Sequence, residues 1–135
     1  TTFVSQTDVA EWQRAIKLQK RAARVGFDWP NVDPVFDKLH EEIDEVRAEF
    51  AGGADPARLT DEIGDVLFVC ANLARHAQVE VSTAMRHANA KFERRFRRME
   101  AIAAEAGEAL AGKSLAQQEA LWHRAKREER AGSAE

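Results

Sequence analysis

Residues 35–50, Val35-Phe36-Asp37-Lys38-Leu39-His40-Glu41-Glu42-Ile43-Asp44-Glu45-Val46-Arg47-Ala48-Glu49-Phe50, decide the fold class. Val35, Leu39, Ile43, Val46 and Phe50 follow one another at steps of four, four, three and four. Such steps return to one side of an α-helix, because about 3.6 residues complete a turn. The stretch therefore predicts a helix with a core-facing stripe, opening near Pro34, a residue suited to a first helical turn.

The same period extends on either side. A first helix is expected from Thr7 or Asp8 to Arg24, capped by Thr7 and ended by Gly26, with Val9, Trp12, Ile16 and Ala23 near one face. A third runs from Arg58 to about Gln78, its wide buried face made of Ile63, Val66, Leu67, Cys70, Leu73 and Ala77. A fourth spans Ser82 to Ala106, with Met85, Phe92, Phe96, Met99 and Ile102 on its apolar side. A fifth opens at Ser114, where Gln117 three residues later completes a capping box, and carries Leu115, Trp122 and Ala125 inward. Residues 131–135 read as a frayed tail. No segment alternates apolar and polar residues as a strand would. The expectation is an all-α bundle of about five helices, one domain over residues 1–135. So short a chain has few layers to cover such wide apolar faces, so a homodimer sharing a four-helix core is also expected.

Composition narrows the function. The chain has 44% hydrophobic and 32% charged residues, as a water-exposed globular domain does. Its longest apolar run, Val66–Ala71, is far short of the roughly 20 residues of a membrane span. No basic–apolar–small segment opens the sequence, so no export signal is expected. The one cysteine, Cys70, excludes an internal disulfide and a Cys-built zinc site. A cytoplasmic setting with no membrane partner follows as an expectation. Twenty basic against 23 acidic side chains give a net charge of −3, so bulk charge does not steer the chain toward nucleic acid.

The acids are arranged with more meaning than their number. Glu42 and Glu45 stand three apart on the second helix, as Glu62 and Asp65 do on the third, so each pair shares a helix face. Each pair lies on the shoulder of its apolar stripe. If the stripes pack together, four carboxylates converge at the edge of a core, where repulsion and desolvation oppose their charge. A hard cation relieves both, and magnesium takes a few carboxylates and completes its shell with water and phosphate. A single Glu-x-x-Glu is ordinarily a solvated face; two such pairs on consecutive helices are harder to set aside. A di-iron bundle would need Glu-x-x-His, and neither His76 nor His87 has a Glu three residues before it. Gly64 sits inside the second pair and costs a helix about 1 kcal/mol relative to Ala. Close approach of a ligand or another backbone would account for it; so would relief of packing against a bulky neighbour.

A basic stretch follows, with Arg86, Lys91, Arg94, Arg95, Arg97 and Arg98 against one acid, Glu93. Lys91 and Arg95 are four apart beside Phe92 and Phe96, and Trp122 and Lys126 repeat that spacing. Arg94, Arg97 and Arg98 read as a solvated face; Lys91 and Arg95 read either so or as binders of phosphate oxygens.

The pattern Glu41-Glu42-x-x-Glu45, then sixteen residues, then Glu62-x-x-Asp65 resembles the signature of the MazG family of nucleoside triphosphate pyrophosphohydrolases. The segments 18–29, 64–68, 72–76 and 89–96 are similar to the C-terminal catalytic domain of MazG, so the likeness covers about Gln13 to Glu129. The resemblance implies an all-α homodimeric enzyme dependent on Mg2+, with Mn2+ as a possible substitute. It implies water activated by metal attacking the α-phosphate, giving nucleoside monophosphate and pyrophosphate. By position, Glu42, Glu45, Glu62 and Asp65 would ligate metal, and Glu41 would ligate, support a ligand or orient water. Lys91, Arg95, Trp122 and Lys126 match positions associated with nucleotide binding. Trp122 could equally pack in the core, the commoner fate of a lone Trp on an amphipathic helix. Two departures stand out: MazG commonly has two tandem domains where one is present, and Arg58 stands where relatives carry Lys. The expected partner is a nucleoside triphosphate, with no nucleic acid. The competing readings are a non-catalytic bundle binding nucleic acid through residues 86–98, and one mediating protein interaction.

Overall fold

A computed structural model describes the backbone of residues 6–133 and the side chains of residues 10–132. The described residues form five helices and no strand: α1 (Gln6–Arg24), α2 (Asp33–Ala51), α3 (Pro56–His76), α4 (Val81–Glu105) and α5 (Leu115–Ser133). The all-α class expected from the periodicity is what the chain adopts.

Local chemistry explains the ends. The α1 helix closes on Gly26, whose φ of 87° is the left-handed conformation glycine accepts most readily, and Phe27 N–H reaches back to Ala22 O at 3.0 Å. Thr7 lies inside α1, so it is not the cap. Val32 precedes α2 with no side-chain cap; Asn31 Oδ1 accepts from the Asp33 N–H at 3.0 Å instead. The α3 helix begins at Pro56, two residues before the expected start, because Asp55 caps it by accepting from the Arg58 N–H. At α5 the capping box is complete, with Gln117 N–H on Ser114 Oγ at 3.1 Å and Ser114 N–H on Gln117 Oε1 at 2.9 Å. That helix continues to Ser133, past the point where fraying was expected; residues 134–135 lie outside the described residues.

The chain divides into two compact units between Ala84 and Met85, inside α4. In the first, α2 and α3 form an αα-hairpin across the short 52–55 connection, and α1 packs on α3. Among its described residues the buried apolar ones are Val35, Val69 and Ala71. The stripe predicted on α2 is only partly covered: Val35 is 0% exposed, Ile43 39% and Phe50 61%. Ile63 and Leu67 of α3 are exposed too, and Ala77 follows the helix as its C-cap. Trp12, Ile16 and Ala23 of α1 are half-buried, and the expectation for Val9 lies outside the described residues. The second unit, the rest of α4 with α5, buries Met99, Ile102, Ala103 and Ala125 and leaves Met85, Phe92, Phe96 and Leu115 exposed.

Candidate functional site

The hairpin of α2 and α3 carries the acids. One carboxylate oxygen each from Glu42, Glu62 and Asp65 lies within 4.8 Å of the others. Glu42 is 6% exposed, although an ionised side chain is rarely so buried without partners. Its Oε1 receives Lys38 Nζ at 3.1 Å, while its Oε2 and the Oε2 of Glu62 are buried without a hydrogen-bond partner among the described residues. Two buried acceptors with no donor are a costly arrangement unless something outside the chain supplies the positive charge.

The electrostatics agree. The hydrogen bond to Glu62 and the charge of Glu42, with desolvation, push the Glu45 carboxyl up to about 7. Desolvation first, then Asp61, Glu42 and Glu62, raises Asp65 above the ordinary carboxylate range. Lys38 is held protonated by Glu42 and Glu41. It offsets one acid of the group and leaves the others unmatched.

Each residue picked out from sequence has a definite place. Glu42, Glu62 and Asp65 converge, and Glu45 borders Glu62. Glu41 is turned out to solvent, bonded to Lys38 at 3.3 Å. Gly64 is mid-helix, and a methyl group there would meet no atom within 4 Å. Relief of packing inside the chain is thus not its reason. Arg58 is exposed, 3.8 Å from Glu49.

In the second unit the basic stretch is largely neutralised. Arg95 Nε donates to Glu129 Oε2 at 2.8 Å, and its guanidinium lies 5.4 Å from the Trp122 ring centre. Arg94 bonds the other Glu129 oxygen, Arg98 pairs with Glu128 and Glu105, and Arg97 pairs with Glu93. These arginines hold Glu129 and Glu128 below the usual carboxylate range. Trp122 is half-buried and packs on Phe92, which stacks on Phe96. Lys91 is exposed on α4 and Lys126 half-buried on α5.

Sequence reading missed Lys38, although its position four residues before Glu42 was a usable signal. It also missed a polar network in the first unit. Arg75 grips Asp28 through two hydrogen bonds of 2.6 and 3.0 Å, and His76 Nε2 lies 3.1 Å from Asp28 Oδ1. Arg75 holds the Asp28 carboxyl down to about 2. No local spacing announces a pair 47 residues apart.

Residues 33–99 match the MazG nucleotide pyrophosphohydrolase domain. The chain is 49% identical, over 117 residues, to the nucleoside triphosphate pyrophosphohydrolase of Escherichia coli K12, covering 86% of this chain and 44% of that protein. It is 35% identical over 112 residues to the nucleoside triphosphate pyrophosphohydrolase/pyrophosphatase MazG of Thermotoga maritima, covering 83% and 42%. It is also 43% identical over 72 residues to the uncharacterized protein YabN of Bacillus subtilis, covering 53% and 15%. The chain thus spans less than half the length of these curated relatives.

Proposed function

Since the chain belongs to the MazG family, we propose that it hydrolyses nucleoside triphosphates to the monophosphate and pyrophosphate at the α2–α3 hairpin. The observation that carries this reading is the pair of buried, partnerless oxygens, Glu42 Oε2 and Glu62 Oε2, beside Asp65. An all-oxygen, acidic donor set suits a hard divalent cation, Mg2+ or Mn2+ in its place. Glu42, Glu45, Glu62 and Asp65 would hold it. When bound, the cation supplies charge neutralisation for the triphosphate and makes water more acidic.

The chain's own residues do the rest. Water adds at the α-phosphorus and gives up a proton to solvent, the bond to the bridging oxygen breaks, and pyrophosphate leaves with the electron pair. Lys38 pairs with Glu42 and holds it in place, and Glu41 steadies Lys38 from the solvent side. Lys91, Arg95, Trp122 and Lys126 are substrate-binding residues in this reading, by their match to the family's nucleotide-binding positions. Two copies sharing a four-helix core would cover the apolar side chains of Ile43, Phe50, Ile63 and Leu67. The reading places the protein in the cytoplasm, where free Cys70 stays reduced.

Nucleic-acid binding through residues 86–98 has weaker support, because Arg94, Arg95, Arg97 and Arg98 already have carboxylate partners. The decisive assay incubates the protein with magnesium and a panel of nucleoside triphosphates and measures pyrophosphate. Release of pyrophosphate, lost in Glu42→Ala and Asp65→Ala with helical circular dichroism intact, is expected. Orthophosphate without pyrophosphate would move the cleaved bond and refute attack at the α-phosphorus.

A further inference from the structure

Arg95 of α4 is held on two sides by α5. Its Nε donates to Glu129 Oε2 at 2.8 Å, and its guanidinium lies over the Trp122 ring, 5.4 Å from the centre. Trp122 is itself backed by Phe92, with 5.5 Å between ring centres, and Phe92 stacks on Phe96. The Arg95 side chain is 16% exposed, against 60% for the adjacent Arg94. Arg94 is therefore the solvated member of the pair and Arg95 the fixed one.

The contact with Glu129 is made side-on. A guanidinium carries five N–H donors in a rigid planar fork. Glu129 takes the one on Nε; the two Nη nitrogens, with the other four, are not part of that contact. A ring against the plane and a carboxylate on one edge together fix where the Nη end of the fork points. Glu129 is also shared, since its Oε1 accepts from Arg94 Nε. One carboxylate divided between two guanidiniums does not cancel both. Arg98 differs, being one cation between two carboxylates, Glu128 and Glu105. The Arg94–Glu129–Arg95 bridge thus lowers the charge that a polyanion would feel, yet fixes the place where a single phosphate group can dock. Arg95 first, then Arg94, holds the Glu129 carboxyl below its ordinary range, so the clip stays charged at neutral pH.

We propose that Glu129 is a positioning residue, clipping Arg95 against Trp122 so that the Nη end of the guanidinium meets a phosphate of the nucleotide. The proposal deepens the pyrophosphohydrolase reading and rests on it for the ligand's class. An arginine ordered beforehand loses less rotamer freedom when the phosphate arrives, and the gain appears as affinity.

The test is a double-mutant cycle read by calorimetry, with magnesium and α,β-methylene adenosine triphosphate, whose α–β bridge resists cleavage. Glu129→Gln keeps the length of the side chain and removes its charge, and should raise the dissociation constant about tenfold. In an Arg95→Met background the same change should alter it less than about twofold, because Glu129 acts through Arg95. Glu128→Gln removes an equal charge one residue away and should also stay within about twofold, which separates the clip from bulk electrostatics. In steady-state hydrolysis, Glu129→Gln should raise KM about tenfold and lower kcat by much less. Should Glu129→Gln prove unfolded by circular dichroism, Arg94→Met loosens the same carboxylate from its other side and should weaken binding about threefold. Tighter binding in Glu129→Gln would make the carboxylate a competitor of the phosphate and overturn the proposal. So would an equal loss with and without Arg95, an outcome that leaves the hydrolase reading standing if pyrophosphate is still released. Coupling between the two residues with no hydrolysis of any triphosphate would instead sink the hydrolase reading and keep the clip.

Discussion

The two helix pairs of this chain treat charge in opposite ways. On α4 and α5, Arg94, Arg95 and Arg98 meet Glu128 and Glu129, and the charges of both signs are consumed within the unit. On α2 and α3, Glu42, Glu45, Glu62 and Asp65 share Lys38, and two buried oxygens are left with no donor. Density of charge is therefore a poor guide to a site. What distinguishes a site is charge that the chain itself does not balance, because a buried acceptor without a donor carries the full desolvation cost. By that measure the acidic pair, not the basic one, is where a ligand's charge belongs.

This contrast can be broken most directly at the acids. Glu42→Ala or Glu62→Ala should lower pyrophosphate release on the order of 10²-fold or more, the scale for losing a group that stabilises developing charge. In the absence of divalent cations the same substitutions should raise the thermal midpoint, since they remove repulsion. A variant that stays active, or that melts earlier without metal, would show the acids to be ordinary surface.

The second test uses pH. The fold raises the Glu45 carboxyl from the ordinary range to about 7. The folded site therefore binds more protons than the unfolded chain between those values, and stability from this group falls as pH rises through about 7. Melting curves without cation should show a lower midpoint at pH 8 than at pH 5. Magnesium should raise the midpoint more at pH 8, because it competes with the proton. Equal magnesium effects at both pH values would contradict the shared site.

The basic unit makes the converse prediction. Glu128→Gln with Glu129→Gln should remove the charged partners of Arg94 and Arg95 shown at Glu129 and leave Arg98 only its pair with Glu105. A heparin column or DNA titration should then show salt-sensitive binding stronger than that of the unaltered chain. Unchanged binding would mean that the carboxylates do not mask these arginines. The smallest effect is a local one: Ser114→Ala should cost about 1 kcal/mol through loss of the α5 cap, read from denaturant unfolding, with α2 and α3 unaffected.

Much of the fold was legible. The steps from Val35 to Phe50 gave α2, and Ser114 with Gln117 gave the start of α5, because helices and caps are set by neighbours within four residues. The burial of those stripes was less legible. Ile43, Phe50, Ile63 and Leu67 carry the period of a core yet stand exposed, since period says which residues share a face and not what covers it. Among the acids, spacing put Glu42 with Glu45 and Glu62 with Asp65. It could not show that Glu41, adjacent to Glu42, turns out to Lys38.

By itself the sequence determined the helical class, the order of the helices, and the two acidic pairs beside apolar stripes, all consequences of local periodicity. The tertiary structure alone decided which charges found partners. Glu128 and Glu129 meet arginines 30 to 35 residues earlier in the chain, Arg75 meets Asp28 across 47, and Gln19 meets Phe68 across 49. Pairings so distant depend on how helices pack, and packing is a property of the whole set of side chains rather than of any one stretch.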